Sequence, residues 1–254
     1  MTLPQTPSFR LDGRRALVAG ASSGIGRACA VALAEAGASV MLAARRVEHL
    51  EALARELNAE GAAAEVMVLD VSDVAGTRAA VERAGPFDIL LNAAGLARHG
   101  PALETEEDDF DAVVAVNLKA AYFLAQAVAR GLVAAGRPGS IITISSQMGH
   151  VGGPDRAVYA ATKHAVEGFT KAMAIEWGPH GIRVNTIAPT FILTELTRPT
   201  FEDPERRAWI ERNIALPRVG TVEDIMGAAV FLASDAAALV TGTALLVDGG
   251  WTAQ

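Results

Sequence analysis

The stretch Ala16-Leu17-Val18-Ala19-Gly20-Ala21-Ser22-Ser23-Gly24-Ile25-Gly26 decides how this chain folds. Ala16–Ala19 is apolar at consecutive positions, as a strand covered on both faces must be. It runs without a linker into three glycines and then into Ala28-Cys29-Ala30-Val31, small and apolar enough for a packed helix. Glycines at such a strand-to-helix turn let the backbone bend tightly and come close to a pyrophosphate, whose charge meets the free N–H groups of the helix start. The spacing is GxxxGxG rather than GxGxxG, and a glycine turn alone specifies little.

The same grammar repeats outward along the chain. Val40–Ala43, Ala64–Leu69, Ile89–Leu91, Ile141–Ile144, Val184–Ile187 and Leu245–Val247 are further short apolar runs without alternation. Between them Val47, Leu50, Leu53 and Leu57 recur at helical spacing, with Gly61 following as a C-terminal cap. Thr221 followed by Glu223 and Asp224 opens another helix with acids at its positive end. The Glu104–Asp111 acidic run reads as a third helix start, solvated and without chemistry. Seven strands separated by helices predict right-handed crossovers and an α/β single-domain Rossmann-type fold over residues 1–254, a doubly wound seven-stranded parallel sheet with helices on both faces. The long stretch Ala188–Gly220, with Pro189, Pro199, Pro204 and Pro217, is expected to be irregular: a substrate loop or lid over about 188–220, or a mobile surface excursion.

Bulk composition excludes several classes. With 22 Lys and Arg against 29 Asp and Glu, the formal net charge of −7 argues against non-specific nucleic-acid binding, which needs a basic face. The single Cys29 excludes an internal disulfide or a CxxC site and reads as a small core residue. His49, His99, His150, His164 and His180 are scattered without paired ligand spacing, so no metal is expected. Met1–Arg14 has no apolar signal core, and Ala28–Ala44, though apolar, is divided by Glu35 and Gly37 into helix, turn and strand rather than a membrane span. A cytoplasmic protein that binds neither membrane nor nucleic acid is the expectation.

Tyr159 and Lys163 are four residues apart and share one helix face. An ammonium about 4 Å from a phenol contributes ~4 kcal/mol at an effective dielectric of about 20, enough to bring the phenol from about 10 toward neutrality. A phenol so placed could exchange protons near pH 7. Ser146, thirteen residues upstream, could hydrogen-bond a substrate oxygen, with Ser145 a competitor for that role.

Taken together these segments resemble the classical short-chain dehydrogenase/reductase family over nearly the whole chain. Ala19–Gly26 stands where the family has TGxxxGIG, with Ala19 in place of Thr; Asn92-Ala93-Ala94-Gly95 stands for NNAG. Asn117, read as opening a helix, matches the family's structural and catalytic Asn, and Ser146, Tyr159 and Lys163 complete the YxxxK set. Pro189-Thr190-Phe191-Ile192-Leu193-Thr194 resembles PGxxxT, with Thr190 in place of Gly.

The resemblance implies hydride transfer between a nicotinamide cofactor and a small secondary alcohol/ketone pair, as in a carbonyl reductase. Tyr159 would donate and accept the proton, Ser146 would hold the substrate oxygen, Lys163 would also hold the nicotinamide ribose, and Asn117 would support a water linking Lys163 to solvent. The cofactor would lie along Gly20, Ser22, Ser23, Gly24, Ile25, Gly26, Asp70, Val71, Asn92, Ala93, Ala94, Gly95, Pro189, Ile192 and Thr194; Asp70 could equally be an ordinary turn residue. In this fold the residue ending the second strand meets the adenosine ribose. That position is Ala44, followed by Arg45 and Arg46. An absent carboxylate plus a guanidinium fork favours NADP(H), with NAD(H) possible; Arg45 is the expected phosphate contact and Arg46 a solvated residue opening the next helix.

Gln147, Met148, His150, Leu193, Leu196 and Trp209 are the substrate-lining candidates. The family also points to a homotetramer built on Ala120–Ala135, Ala157–Trp177 and the C-terminal strand. Competing readings are a sugar or polyol dehydrogenase of the glucose or gluconate type using NAD, lyase or epimerase chemistry (whose extended relatives carry a longer substrate domain), and a non-catalytic dinucleotide sensor.

Overall fold

Strands that are apolar at every position need cover on both faces, and the helices between them supply it. In the computed structural model, which describes residues 3–253, β1 (Arg15–Ala19), β2 (Ser39–Ala44), β3 (Ala64–Val68), β4 (Ile89–Asn92), β5 (Gly139–Ile144), β6 (Ile182–Pro189) and β7 (Ala244–Val247) form one sheet in the order β3-β2-β1-β4-β5-β6-β7. Every pairing is parallel. All seven predicted strands are present, and the doubly wound sheet holds.

The helices are α1 (Gly24–Glu35), α2 (Val47–Ala59), α3 (Val74–Ala84), α4 (Glu107–Val114), α5 (Ala121–Ala135), α6 (Ala157–Trp177), α7 (Arg198–Glu202), α8 (Pro204–Asn213) and α9 (Glu223–Ala233). Ala16 and Val18 of β1 join Leu33, Leu50, Leu53 and Leu232 in a core on one face. Leu17 and Ala19 join Leu124, Leu132 and Val184 on the other. The unbroken apolar runs are therefore one strand residue for each core in turn. Cys29 is fully buried in the first core, and burial pushes its thiol up to about 12.

Local signals behave as their chemistry requires. Gly61 takes φ +86 after α2, and the Ala62 N–H reaches back to the Leu57 carbonyl at 3.0 Å, closing the helix end. Before α9, the Asp224 carboxylate accepts from the Thr221 N–H at 2.8 Å, and Arg218 holds that carboxyl down to about 2. Glu107, Asp108 and Asp109 occupy the first turn of α4.

Two expectations fail. Asn117 does not open a helix: α4 and α5 are one continuous helix joined by a π-turn, Ala115–Ala120, with Asn117 inside it. That run, Glu107–Ala135, is long and apolar enough to cross a membrane by length and composition alone, but Leu124, Val128 and Leu132 are packed in the second core. Nor is Ala188–Gly220 irregular. Ala188 and Pro189 finish β6, and α7 and α8 fill much of the rest. Pro199 and Pro204 lie in the first turns of those helices, where a missing N–H costs nothing, and Asp203 caps α8 by accepting from the Glu205 and Arg206 N–H groups at 2.9 and 3.2 Å. The segment's ends are pinned together by the Leu193 N–H on the Gly220 carbonyl at 2.9 Å.

Candidate active site

The strand order reverses between β1 and β4, and ligands of open α/β sheets bind at the carboxyl ends of the strands there. A cleft of about 1110 Å³ opens at that point. Its upper wall is the glycine turn, and the packing explains the residue type. A Cβ on Gly20 would lie 2.7 Å from the Ala93 carbonyl carbon, and one on Gly26 2.2 Å from the Gly20 oxygen. Only bare backbone lets α1 begin this close to β1 and β4, which is the close approach a pyrophosphate needs.

Gly20, Ser22, Ser23, Gly24, Ile25 and Gly26 line the cleft, as do Asp70, Val71, Ala93, Ala94 and Gly95. Asn92 does not: it is 2% exposed, and its Oδ1 accepts from the Ala94 N–H at 3.1 Å, shaping the turn from behind. Asp70 serves both its readings, lining the wall while accepting from the Ser72 N–H and hydroxyl at 3.0 and 2.7 Å. Pro189, Ile192 and Thr194 line the opposite wall. Thr190 is accommodated there without a positive φ; its N–H donates to the Val247 carbonyl at 3.1 Å, and its buried hydroxyl has no partner.

At the mouth, β2 ends on Ala44, with no carboxylate, and Arg45 lines the cleft near Asp70. Arg46 is exposed, as expected of a residue that opens the next helix, but it is not without partners. Its Nη2 donates to the Ser22 and Ser23 hydroxyls at 3.0 and 2.7 Å, laying a second guanidinium on the glycine turn. Bare glycine backbone, two guanidinium groups at the mouth and no carboxylate at the end of β2 together fit a phosphorylated dinucleotide.

The lower part of the cleft holds Ser146 at the end of β5 and Tyr159 and Lys163 on α6. Ser146 Oγ accepts from the Met148 N–H at 3.1 Å, whereas the buried Ser145 hydroxyl has no partner. Lys163 Nζ donates to the Ile144 carbonyl at 2.9 Å and sits 5.5 Å from the centre of the Tyr159 ring. The helical spacing thus brings the pair together, but the expected electrostatics do not follow. Burial raises the Tyr159 phenol above its usual range, opposed by hydrogen bonding with Ser146 and by the charge of Arg156. Lys163, itself buried, is pushed down to about 8, with Glu167 pulling the other way. The charge of Arg156 thus favours the phenolate against burial.

Asn117 acts at one remove. Its Oδ1 accepts from the Leu96 N–H and its Nδ2 donates to the Leu96 carbonyl, both at 2.8 Å, so the amide clamps the loop after β4 to the α4–α5 helix, and its Nδ2 also donates to the Thr162 hydroxyl of α6 at 3.4 Å. Among the described residues no group of three His, Cys, Asp or Glu side chains could hold a metal ion.

Known proteins are similar to this chain in sequence and in fold. A family model described as enoyl-(acyl carrier protein) reductase matches residues 20–252. The D-erythrulose reductase of Gallus gallus is 42% identical over 245 residues, which cover 96% of this chain and 98% of that protein. This chain belongs to the short-chain dehydrogenase/reductase family. Gluconate 5-dehydrogenase of Gluconobacter oxydans (strain 621H) is 44% identical over 248 residues, 96% of each chain. The crystal structure of a gluconate 5-dehydrogenase from Burkholderia cenocepacia J2315, in complex with NADP and tartrate, superposes with a TM-score of 0.93 at 44% identity, covering 97% of this chain and 98% of that one. As a short-chain dehydrogenase/reductase, the protein is an oxidoreductase of CH–OH and C=O groups.

Around the chemical centre of this dehydrogenase/reductase, the predicted substrate residues divide. Gln147, Met148 and Leu196 line the cleft. His150, Leu193 and Trp209 do not. His150 lies past the 3₁₀ turn Gln147–Gly149, with Nε2 3.7 Å from the buried Glu167 carboxylate. Leu193 is turned outward by its bond to Gly220 and is 47% exposed. Trp209 packs edge-on against Phe191 and Trp251, ring centres 5.8 and 5.0 Å apart, fixing α8 to the C-terminal segment.

Among the wall residues that the sequence reading missed are His99 and Arg156. His99 meets the Tyr159 ring edge-on at 5.5 Å, and burial followed by the nearby Arg156 pushes it down to about 4, so it is neutral at pH 7. Arg156 stands three residues before Tyr159, a helical offset that could have flagged it.

Proposed function

We propose that this enzyme transfers hydride between NADP(H) and a small secondary alcohol/ketone of the sugar or polyol class, as a cytoplasmic carbonyl reductase. One observation carries the reading: Ser146, Tyr159 and Lys163 converge in the same cleft that the glycine turn and the Arg45–Arg46 mouth prepare for a phosphorylated dinucleotide. Bound NADP(H) supplies and accepts the hydride. Ser146 then orients the substrate oxygen and stabilises charge on it. In reduction, Tyr159 gives that oxygen its proton as the C–H bond forms at the carbonyl carbon; oxidation runs the same steps backward. Lys163, anchored on Ile144, would hold the ribose hydroxyls of the bound cofactor, and Asn117 keeps the Leu96 loop in place.

The relatives' names, D-erythrulose reductase and gluconate 5-dehydrogenase, support the sugar class. The segment around 188–220, carrying α7 and α8, is the substrate lid of a single catalytic domain; Leu196 and Thr200 line the cleft from it. A homotetramer is part of the proposal. It is supported by exposed apolar side chains on the expected surfaces: Tyr122 and Val133 on α5, Ile175 on α6 and Leu246 on β7. The net charge of −7 supports small-molecule substrates over nucleic acid.

The test is a panel of ketoses, keto acids and their alcohols, assayed in both directions by nicotinamide absorbance. Turnover with NADPH supports the reading. Tight NADPH binding with no turnover on any ketone would leave a sensor and overturn it.

A further inference from the structure

Arg156 is 7% exposed, yet its guanidinium has no hydrogen bond, and no carboxylate lies within 4.0 Å of it among the described residues. Its Nε is buried without a partner, and the group lies 4.9 Å above the Phe191 ring. The adjacent Asp155 does not serve it, since the backbone there turns through φ +60 and the carboxylate pairs instead with Arg206 at 3.7 Å. His99 on the same wall is uncharged at pH 7. A buried cation without an anion is costly, and side chains of this kind are nearly always paired.

Placement says what the partner is. Lys163, four residues after Tyr159, is anchored toward Ile144 on the cofactor side. Arg156, three residues before, lines the same cleft over the Phe191 ring, close enough for its charge to act on both His99 and the Tyr159 phenol. Gln147, with both ends of its buried amide unpaired, and Thr190, with its buried hydroxyl unpaired, also line the cleft. A fork for a carboxylate, set beside groups that bind hydroxyls, describes a polyhydroxy acid.

Resting on the NADP(H) reading above, we infer that the substrate pair is an aldonate and its keto-aldonate, with the carboxylate held by Arg156 and chain hydroxyls by Gln147 and Thr190. In reduction the keto carbon gains hydride from NADPH, which is oxidised, its oxygen gains the Tyr159 proton, and the carboxylate is unchanged. Arg156 is thus a specificity residue as well as a charge beside the phenol. Neutral sugars of the same length lack the group that satisfies it.

The test compares gluconate with sorbitol, and 5-ketogluconate with fructose, on wild type, Arg156→Gln and Arg156→Lys. Because Arg156 also acts on Tyr159, the informative quantity is the ratio of kcat/KM for acid over neutral substrate, in which a common change in the phenol cancels. Wild type should favour the acids; Arg156→Gln should lower that ratio by about 10²–10³, mainly through KM for the acid, and Arg156→Lys should recover part of it. Calorimetry of tartrate added to the NADPH-loaded protein should show binding that Arg156→Gln loses, while the variant's melting temperature and NADPH binding report its folding. A neutral ketose turned over as well as the acid, a ratio unchanged in Arg156→Gln, or no tartrate binding would overturn the inference. Turnover of neutral sugars alone would leave the NADP(H) reading standing; turnover of neither class would end both.

Discussion

Lys163 Nζ sits 5.5 Å from the centre of the Tyr159 ring and gives its hydrogen bond to the Ile144 carbonyl, at 2.9 Å, rather than to the phenol. The lysine lies beneath the tyrosine as a brace. The phenol's proton affinity is a balance between burial, which raises it, and Ser146 and Arg156, which lower it.

That balance sets the pH dependence. Alcohol oxidation needs the phenolate, and a raised phenol pKa keeps that form scarce at neutrality. The rate kcat/KM for oxidation should therefore climb with pH through the alkaline range, while ketone reduction, which needs the phenol, stays level and declines only at alkaline pH. Removing the positive charge in Arg156→Gln should move both limbs to higher pH. Rate profiles in the two directions check this; an oxidation plateau already reached by about pH 7 would contradict it.

The mouth of the cleft makes a second prediction. Arg46 donates to Ser22 and Ser23, and Arg45 lies near Asp70, which makes both guanidinium groups candidates to hold a 2′-phosphate. A lost charge-assisted hydrogen bond of about 1.5–3 kcal/mol corresponds to roughly 10–150-fold in KM for NADPH. Arg45→Ala and Arg46→Ala should each weaken NADPH by such a factor and change NADH little. Ala44→Asp should reverse the preference by repelling the phosphate and accepting from the ribose hydroxyl. Initial rates with both cofactors decide, and equal losses for NADPH and NADH would remove the phosphate role.

Asn117 makes a structural one. Removing its amide in Asn117→Ala leaves the Leu96 N–H and carbonyl without their partner. Unsatisfied buried groups cost about 1–3 kcal/mol, which in a chain of this size lowers the melting temperature by roughly 2–12 °C. Thermal melts with and without NADPH measure it. Loss of activity at an unchanged melting temperature would mean that the amide acts on the chemistry itself.

How much of this was legible in the sequence follows from which interactions are local. Ala16–Ala19 and its six counterparts announce a doubly covered sheet because burial on both faces removes the alternation. Gly20 and Gly26 announce the turn because only glycine permits that approach, and Gly24 takes φ +54. The prolines of 188–220 misled, since Pro199 and Pro204 begin helices as readily as they break them. His150, Leu193 and Trp209 misled because closeness to β5 or β6 along the chain does not say which way a side chain turns. The Tyr159–Lys163 spacing showed a shared helix face, but the sign of the phenol shift depends on burial and on Arg156, and both are tertiary facts.

In the proposed mechanism Tyr159 exchanges the substrate's proton during hydride transfer. Tyr159→Phe removes one oxygen and leaves the ring beside His99 and Lys163. The decisive measurement is kcat/KM of this variant for the best ketone, alongside NADPH affinity by fluorescence. Activity should fall by about 10²–10⁴-fold with NADPH binding preserved; wild-type turnover in the variant would contradict the mechanism.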